Sequence, residues 1–412
     1  LGWQLATYRA ATRGLAPLAR LLLRRRLARG KEDPARWREK LGFATRSRPE
    51  GRLVWLHAVG LGEVLALRGL IAALADEAPD LWFLVTSSAR SSAQVMAANL
   101  PPRTLHQFLP LDAPAFLARF LAHWRPDLSV WAEQDLWPGA VAATDAAGVP
   151  LALVNARMNA AALARRARAR GLYADLLGRF RLVAAQDAAS ARHLAALGAA
   201  GVRVTGSLKA AAPPLAADEA RLAALRTALT GRRPWLLASS HAEDEAVALA
   251  AQGPIFCENR GALLVIVPRD PARGEAVAAA ARAAGLAVTR QGAGEGPAAV
   301  VHVADAFGEL GLWYRLCPVA VMGGTFGPVE GHNPWEPAAL GCAVLHGPRV
   351  ANFAADYAAL DGAAAALAVS APDLGAALTM DHAAMAGRAR ALSEAAQGSL
   401  APLARDLLGL MA

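Results

Sequence analysis

The feature that most constrains the fold is a repeat of short apolar runs, each followed by a longer helical pattern, that stops once and starts again. Leu53–His57, Trp82–Thr86, Leu128–Ala132, Ala152–Asn155 and Leu182–Ala185 read as buried strands, with helical patterns at Glu63–Glu77, Ser91–Asn99, Ala113–Trp124 and Pro138–Ala147 between them. Such alternation predicts an α/β fold with a parallel, doubly wound sheet. After Val202–Gly206 the pattern breaks at Ala210-Ala211-Ala212-Pro213-Pro214, a linker by composition. It resumes with strands at Trp235–Ser239, Leu263–Val267, Ala287–Thr289, Val300–Val303, Val319–Met322 and Ala343–Leu345, and helices at Glu243–Ala251 and Pro271–Gly285. A chain of 412 residues exceeds the usual single domain. We therefore expect a basic segment over residues 1–45, a Rossmann-like half over 46–209, a linker over 210–215 and a second Rossmann-like half over 216–412. In open α/β sheets ligands bind beyond the carboxyl ends of the strands, so the loops there should carry the chemistry.

Charge is concentrated at one end. Residues 1–45 hold eleven Lys/Arg against three acids, nearly the whole of the formal net charge of +9. The same segment carries Leu1, Trp3, Leu5, Tyr8, Leu15, Leu18 and Leu21–Leu23, without an uninterrupted apolar span long enough for a transmembrane helix. The Arg24–Arg26 block follows the apolar part and no small-residue cleavage site is convincing, so a signal peptide is not expected. An Arg-rich, aromatic-tipped amphipathic helix suits the surface of an anionic leaflet; the plainer alternative is a solvated basic helix. No nucleic-acid module is recognisable, so nucleic acid is not expected as a partner. Cys257, Cys317 and Cys342 are widely spaced and form no metal or redox motif.

The richest motif runs from Gly323-Gly324-Thr325-Phe326-Gly327 to Gly331-His332-Asn333-Pro334-Trp335-Glu336. Asn333 reads as a helix N-cap, Pro334 as the first helical position and Glu336 as the third. A helix start facing a glycine loop suits a phosphate; an ordinary strand-to-helix turn is the plainer alternative. Earlier, His57-Ala58-Val59-Gly60-Leu61-Gly62-Glu63 opens a helix after a strand, but lacks the third glycine and the following acid of a dinucleotide loop. Glu63 there suits a general base or a helix-capping acid. Glu133 and Asp135 follow another strand and could bind hydroxyls, bind a metal or cap the next helix; with no neighbouring His, a dedicated metal site is not expected. Arg157 and Arg269 follow strands and suit anionic groups, and Lys209 stands beside the linker. Arg165–Arg170 reads as a solvated helix face.

Taken in order, these motifs resemble the 3-deoxy-D-manno-octulosonic acid (Kdo) transferases of lipopolysaccharide assembly. The likeness runs through Arg29-Gly30-Lys31-Glu32, His57–Glu63, Leu109-Pro110-Leu111-Asp112, Glu133–Pro138, Asn155-Ala156-Arg157, Gly206–Lys209, Pro268-Arg269, Gly308-Glu309, Gly323-Gly324, Gly331–Pro334 with Glu336, and Gly347-Pro348. The chain departs from the family pattern at Gly60, at Asp135 in place of a Glu, at Asp270 after Pro268-Arg269, and at Met158-Asn159 after Arg157. The resemblance implies a GT-B fold and inverting, metal-independent transfer of Kdo from CMP-Kdo to a lipid A precursor. The reaction would take place at the cytoplasmic face of the bacterial inner membrane. It implies Glu63 as catalytic base and a donor-binding set of Arg269, Gly323, Gly324, Thr325, Gly331, His332, Asn333 and Glu336, with Lys209 near it. Gly60, Gly62, Glu133, Asp135 and Arg157 are left for the acceptor and sugar. No cofactor beyond the donor is expected. The competing readings are a GT-B transferase or epimerase using a UDP- or GDP-sugar, and an inactive membrane-associated paralogue.

Overall fold

The structure, a computed structural model, describes residues 2–59, 61–88, 100–133 and 136–411. The chain divides into two units: one runs to Ala212 and regains the C-terminal stretch from Ala396, and the other is Pro213–Ala395.

The first unit is built on seven described strands: β1 (Leu53–His57), β2 (Trp82–Ser87), β3 (Thr104–Phe108), β4 (Leu128–Ala132), β5 (Leu151–Ala156), β6 (Phe180–Ala185) and β7 (Arg203–Val204). They pair in parallel in the order β3-β2-β1-β4-β5-β6-β7. Alternate strand residues face opposite sides of the sheet. Val54, Leu56, Phe83 and Val85 join one core with Leu67, Leu70 and Leu74 of the helix Leu61–Glu77. Leu53, Trp55, Leu84 and Trp131 join the other with Phe120, Trp124 and Leu5. Helical layers thus cover both faces, which is why parallel strands read as unbroken apolar runs. Strand β3 is absent from the sequence expectation because it carries His106 and Gln107. Both are buried: Gln107 Oε1 accepts from the Trp124 indole at 2.8 Å, and His106 Nε2 lies 2.9 Å from Ser87 Oγ. The helix expected at Ser91–Asn99 lies outside the described residues.

Two boundaries need correction. The last helix, Leu400–Gly409, belongs to the first unit, where Leu400, Leu403 and Leu407 enter the core beside Leu67 and Leu70 and Arg405 bonds Glu77 at 2.8 Å. Its i, i+3, i+7 stripe shows that it packs, but not on which domain. Nor is the basic segment a single tail. The helix Trp3–Ala28 gives way to a loop with buried Glu32 and then to a short 3-10 turn at Trp37–Leu41, where Glu39 and Lys40 are buried. Lys40 bonds Glu32 at 2.6 Å, and Glu39 accepts from Arg36 and from Phe108 N of β3. The helix Trp3–Ala28 also presents two apolar faces rather than one. Leu5 and Leu23 are buried, whereas Trp3, Leu18, Leu21 and Leu22 are exposed with Arg13, Arg20, Arg24 and Arg25 among them. At about 100° per residue the buried pair Leu5 and Leu23 falls on the side opposite Trp3, Leu18 and Leu21. No described helix is long and apolar enough to cross a membrane.

The second unit repeats the plan with β8 (Arg233–Ser240), β9 (Ala262–Pro268), β10 (Val288–Arg290), β11 (Val301–Val303), β12 (Val319–Met322), β13 (Ala343–His346) and β14 (Ala366–Ala368). The order is β10-β11-β9-β8-β12-β13-β14, again parallel. The three-residue β14 is too short and alanine-rich to stand out in the sequence.

Candidate active site

A doubly wound sheet has one place where the winding direction reverses, and the loops leaving the two strands there diverge to form a crevice. In the first unit that place lies between β1 and β4, and in the second between β8 and β12. The functional candidates gather at both.

At the first, β1 ends at His57 and Glu63 stands in the first turn of the helix Leu61–Glu77. Val59 N donates to Glu63 Oε2 at 3.2 Å, tying the carboxylate back to the loop. Gly62 is the second residue of that helix, whereas Gly60 and Asp135 lie outside the described residues. Glu133, at the end of β4, is buried and holds a left-handed backbone, φ 62°. Lys209 Nζ reaches Glu133 Oε1 at 2.9 Å, and Asn155 Nδ2 donates to the same oxygen at 3.4 Å. Asn155, also left-handed at φ 52°, accepts from Leu208 N at 2.9 Å and so fixes the segment that carries Lys209. Burial, together with the charge of Glu63 and a hydrogen bond to it, pushes Glu133 up to about 7 against the opposing pull of Lys209. Lys209, expected near the donor side, is therefore carried by the first unit and paired with an acid. His57 is buried and its Nδ1 lies 3.1 Å from Thr86 O; burial pushes the imidazole down to about 4, so it is neutral. Arg157 follows β5 and is half-buried. The left-handed backbones at Glu133 and Asn155 are costly for side-chain-bearing residues, and such strain gathers at functional sites.

At the second crevice Gly323 closes β12 so tightly that a Cβ would sit 2.2 Å from Ser239 O. Gly324 and Gly331 have φ of 72° and 89°. Asp244, buried in the first turn of the helix Ala242–Glu258, accepts from His241 N at 2.9 Å, Gly324 N at 2.7 Å and Phe326 N at 3.0 Å. Thr325 is buried, with Oγ1 donating to Met322 O at 2.6 Å and accepting from Gly347 N at 2.8 Å. Amides of the glycine loop expected to meet a phosphate are thus spent in part on an internal carboxylate, and Thr325 is an internal tie. The helix start also differs from expectation. The helix is only Trp335–Ala339, with Pro334 just outside it, so its aligned dipoles are few. Asn333 nevertheless accepts from Trp335 N at 3.1 Å and lies 3.5 Å from Glu336 Oε1.

What faces the loop ends is charged and aromatic. His241 Nε2 and His332 Nε2 stand 2.9 Å apart, bridging the loops after β8 and β12. Burial, with His241 and Arg269 adding to it, pushes His332 down to about 4. Burial pushes Glu336 up to about 7 against Asn333 and Arg269. Exposed Arg269, at the end of β9, therefore acts on both His332 and Glu336. Sequence reasoning identified Arg269, His332, Asn333 and Glu336 one by one, but not His241. It missed the Glu133–Lys209 pair, the His241–His332 bridge and the clamp role of Asp244, because each joins residues distant in sequence. No group of three or more metal-ligating side chains occurs among the described residues.

These two parallel sheets, each with its crevice, define the GT-B class of α/β enzymes. The same fold occurs in the UDP-GlcNAc 2-epimerase of Neisseria meningitidis, with a TM-score of 0.57 over 87% of this chain and 99% of that one, at 13% identity. A family profile described as 3-deoxy-D-manno-octulosonic-acid transferase matches residues 35–212. A 3-deoxy-D-manno-octulosonic acid transferase of Bordetella pertussis is 36% identical over 90% of this chain and 89% of its own length. A probable mitochondrial one of Arabidopsis thaliana is 34% identical over 84% and 80%. The chain belongs to the 3-deoxy-D-manno-octulosonic acid transferase family.

Proposed function

We propose that this chain transfers Kdo from CMP-Kdo to a lipid A precursor in lipopolysaccharide assembly, with inversion at the anomeric carbon and without a metal. The observation that carries the reading is the family relationship over nine-tenths of the chain, together with a carboxylate, Glu63, in the first helical turn after β1. Glu63 takes the proton of the acceptor hydroxyl as its oxygen attacks the anomeric carbon and the bond to the CMP phosphate breaks. Arg269 and the loop Gly331–Asn333 receive the phosphate, and the Gly323-Gly324 turn lets the backbone approach the donor. Glu336, with a carboxyl near neutrality, hydrogen-bonds ribose hydroxyls. Arg157 meets an anionic group of the acceptor, and Gly62 and Glu133 serve the acceptor side, as do Gly60 and Asp135 by the family pattern. The test is incubation of the chain with CMP-Kdo and a lipid A precursor, read by mass spectrometry. The expected product is the precursor plus one or more Kdo units; no such product, or turnover only with a UDP- or GDP-sugar, overturns the reading.

We further propose that the helix Trp3–Ala28 lies on the anionic cytoplasmic leaflet of the inner membrane. The exposed Trp3, Leu18, Leu21 and Leu22 beside exposed arginines support this. Because Leu5 and Leu23 belong to the core, deleting the helix would disturb the fold as well. Replacing Trp3, Leu18 and Leu22 by Ser is the cleaner test. Sedimentation with anionic vesicles should show binding at least about tenfold weaker, and high salt should weaken it too.

A further inference from the structure

Among the described residues of the second unit, Phe307 and Met380 are the large apolar side chains left exposed. Met380 follows the helix Leu374–Leu378, away from the strand ends. Phe307 stands in the loop between β11 and the helix Leu310–Leu316, where ligands of an open α/β sheet bind. Its ring is 75% exposed. The loop that carries it is braced on both sides. Asp305 accepts from Arg290 Nη1 at 2.9 Å and from Gly292 N at 2.7 Å. Glu309 pairs with Arg221 at 2.8 Å, and Gly308 turns the chain with φ of 86°. A ring presented to solvent from a braced loop has little backbone freedom left to lose when something flat covers it.

Strand order puts this ring beside Arg269. β11 pairs with β9 in parallel, with Val303 opposite Ile266 and Ala304 N donating to Ile266 O at 2.9 Å. Phe307 and Arg269 both follow within a few residues of that rung, past the carboxyl ends of neighbouring strands. Arg269 N donates in turn to Ser240 O of β8 at 3.1 Å, and Gly323 N donates to Ala238 O at 2.8 Å. The loops of Phe307, Arg269 and Gly323-Gly324 thus succeed one another along β11-β9-β8-β12, with adjacent strands about 4.8 Å apart.

We propose that Phe307 stacks on the pyrimidine ring of the donor nucleotide, one strand away from the arginine that receives its phosphate. This rests on the CMP-Kdo reading. A nucleotide holds its base and its phosphate at opposite ends of a ribose, so its site needs an anion receiver and, set apart from it, a flat apolar face. Arg269 supplies the first and Phe307 the second. Stacking uses the face that every base has. Phe307 therefore gives affinity for the nucleotide, and the choice of cytosine falls to hydrogen bonds at the edge of the base.

The test is calorimetric titration of CMP into the full chain and into Phe307→Ala, Phe307→Leu and Phe307→Trp. F307A should bind CMP about 5- to 150-fold more weakly, the range of one base–aromatic stack. F307L should lose nearly as much, because it is apolar but not flat, and F307W should restore the affinity. The melting temperatures of all four chains should agree, since the ring is outside the core. In F307W the added indole should be quenched as CMP saturates, beyond any change in the unaltered chain. With CMP-Kdo, F307A should raise KM and leave kcat nearly unchanged. Equal CMP affinity in F307A and the unaltered chain overturns the proposal, as does full recovery in F307L. Normal CMP binding by F307A with weaker sedimentation on anionic vesicles would assign the ring to lipid instead. An unaltered chain that binds no CMP defeats the CMP-Kdo reading itself.

Discussion

The two units share a topology but use their crevices differently. At the β1/β4 crossing the first unit brings together two acids and a lysine, all buried or partly buried, with left-handed backbones at Glu133 and Asn155 holding the geometry. At the β8/β12 crossing the second unit offers glycines, two imidazoles in contact and an exposed arginine, organised around one buried carboxylate, Asp244. The first arrangement is suited to moving a proton, because a buried carboxylate adjusts its basicity through a neighbouring charge. The second is suited to receiving an anion and letting the chain pass close to it. The same winding thus carries two different sets of residues at its strand ends.

The sharpest way to break this division is Glu63→Ala. Transfer should fall by about 10²–10⁴-fold, the usual contribution of a positioned base, while CMP affinity measured by calorimetry stays nearly unchanged. A matched loss of CMP binding would mean that the two crevices are not separate in function. Next in size is Leu403→Ala on the C-terminal helix. It should cost about 2–5 kcal/mol in urea unfolding, with the loss falling on the first unit although the residue comes from the end of the chain. A loss confined to the second unit would return the helix to the domain the sequence suggested. Asp244→Ala leaves three backbone N–H groups without their acceptor and should destabilise the second unit by about 1–3 kcal/mol. It should also weaken CMP binding while leaving the Glu63 crevice intact; unchanged thermal unfolding and CMP affinity would remove Asp244 from its clamp role.

The smallest effect concerns pH. Glu336 is raised from its ordinary 4.5 to about 7, so between these values the folded chain binds more protons than the unfolded one and its contribution to stability falls as pH rises. His332 is lowered from 6.5 to about 4, so its contribution rises with pH over that span. Glu336→Gln removes the falling part. The melting temperature of the variant relative to the unaltered chain should climb between pH 5 and 7 and level off above; a constant difference would mean that Glu336 does not titrate there.

Much of this was legible beforehand where the signal is local. Leu53–His57 and Leu128–Ala132 appear as strands at the expected residues because five consecutive apolar or aromatic-flanked positions can be buried on both faces only in a covered parallel sheet. Asn333, expected as the N-cap from its neighbours, instead sits one residue before the cap position, which Pro334 takes, and accepts from Trp335 N. The short extent of the helix behind it was not legible, because Gly341 and the return into β13 limit it. Thr325 was read as a ligand-facing residue, although its hydroxyl is consumed by Met322 and Gly347, the latter more than twenty residues away.

The sequence by itself determined the two-fold repetition of strand and helix, the family, and the presence of an acid after β1 and a glycine loop after β12. Hydrophobic periodicity and turn chemistry act over a few residues, and they are written in order along the chain. Tertiary structure alone decided that Lys209 answers Glu133, that His241 meets His332, that Asp244 occupies the glycine-loop amides, and that the final helix rejoins the first unit. Each joins groups remote in sequence, whose partners are chosen by strand order and by the cost of leaving a charge or an apolar stripe uncovered.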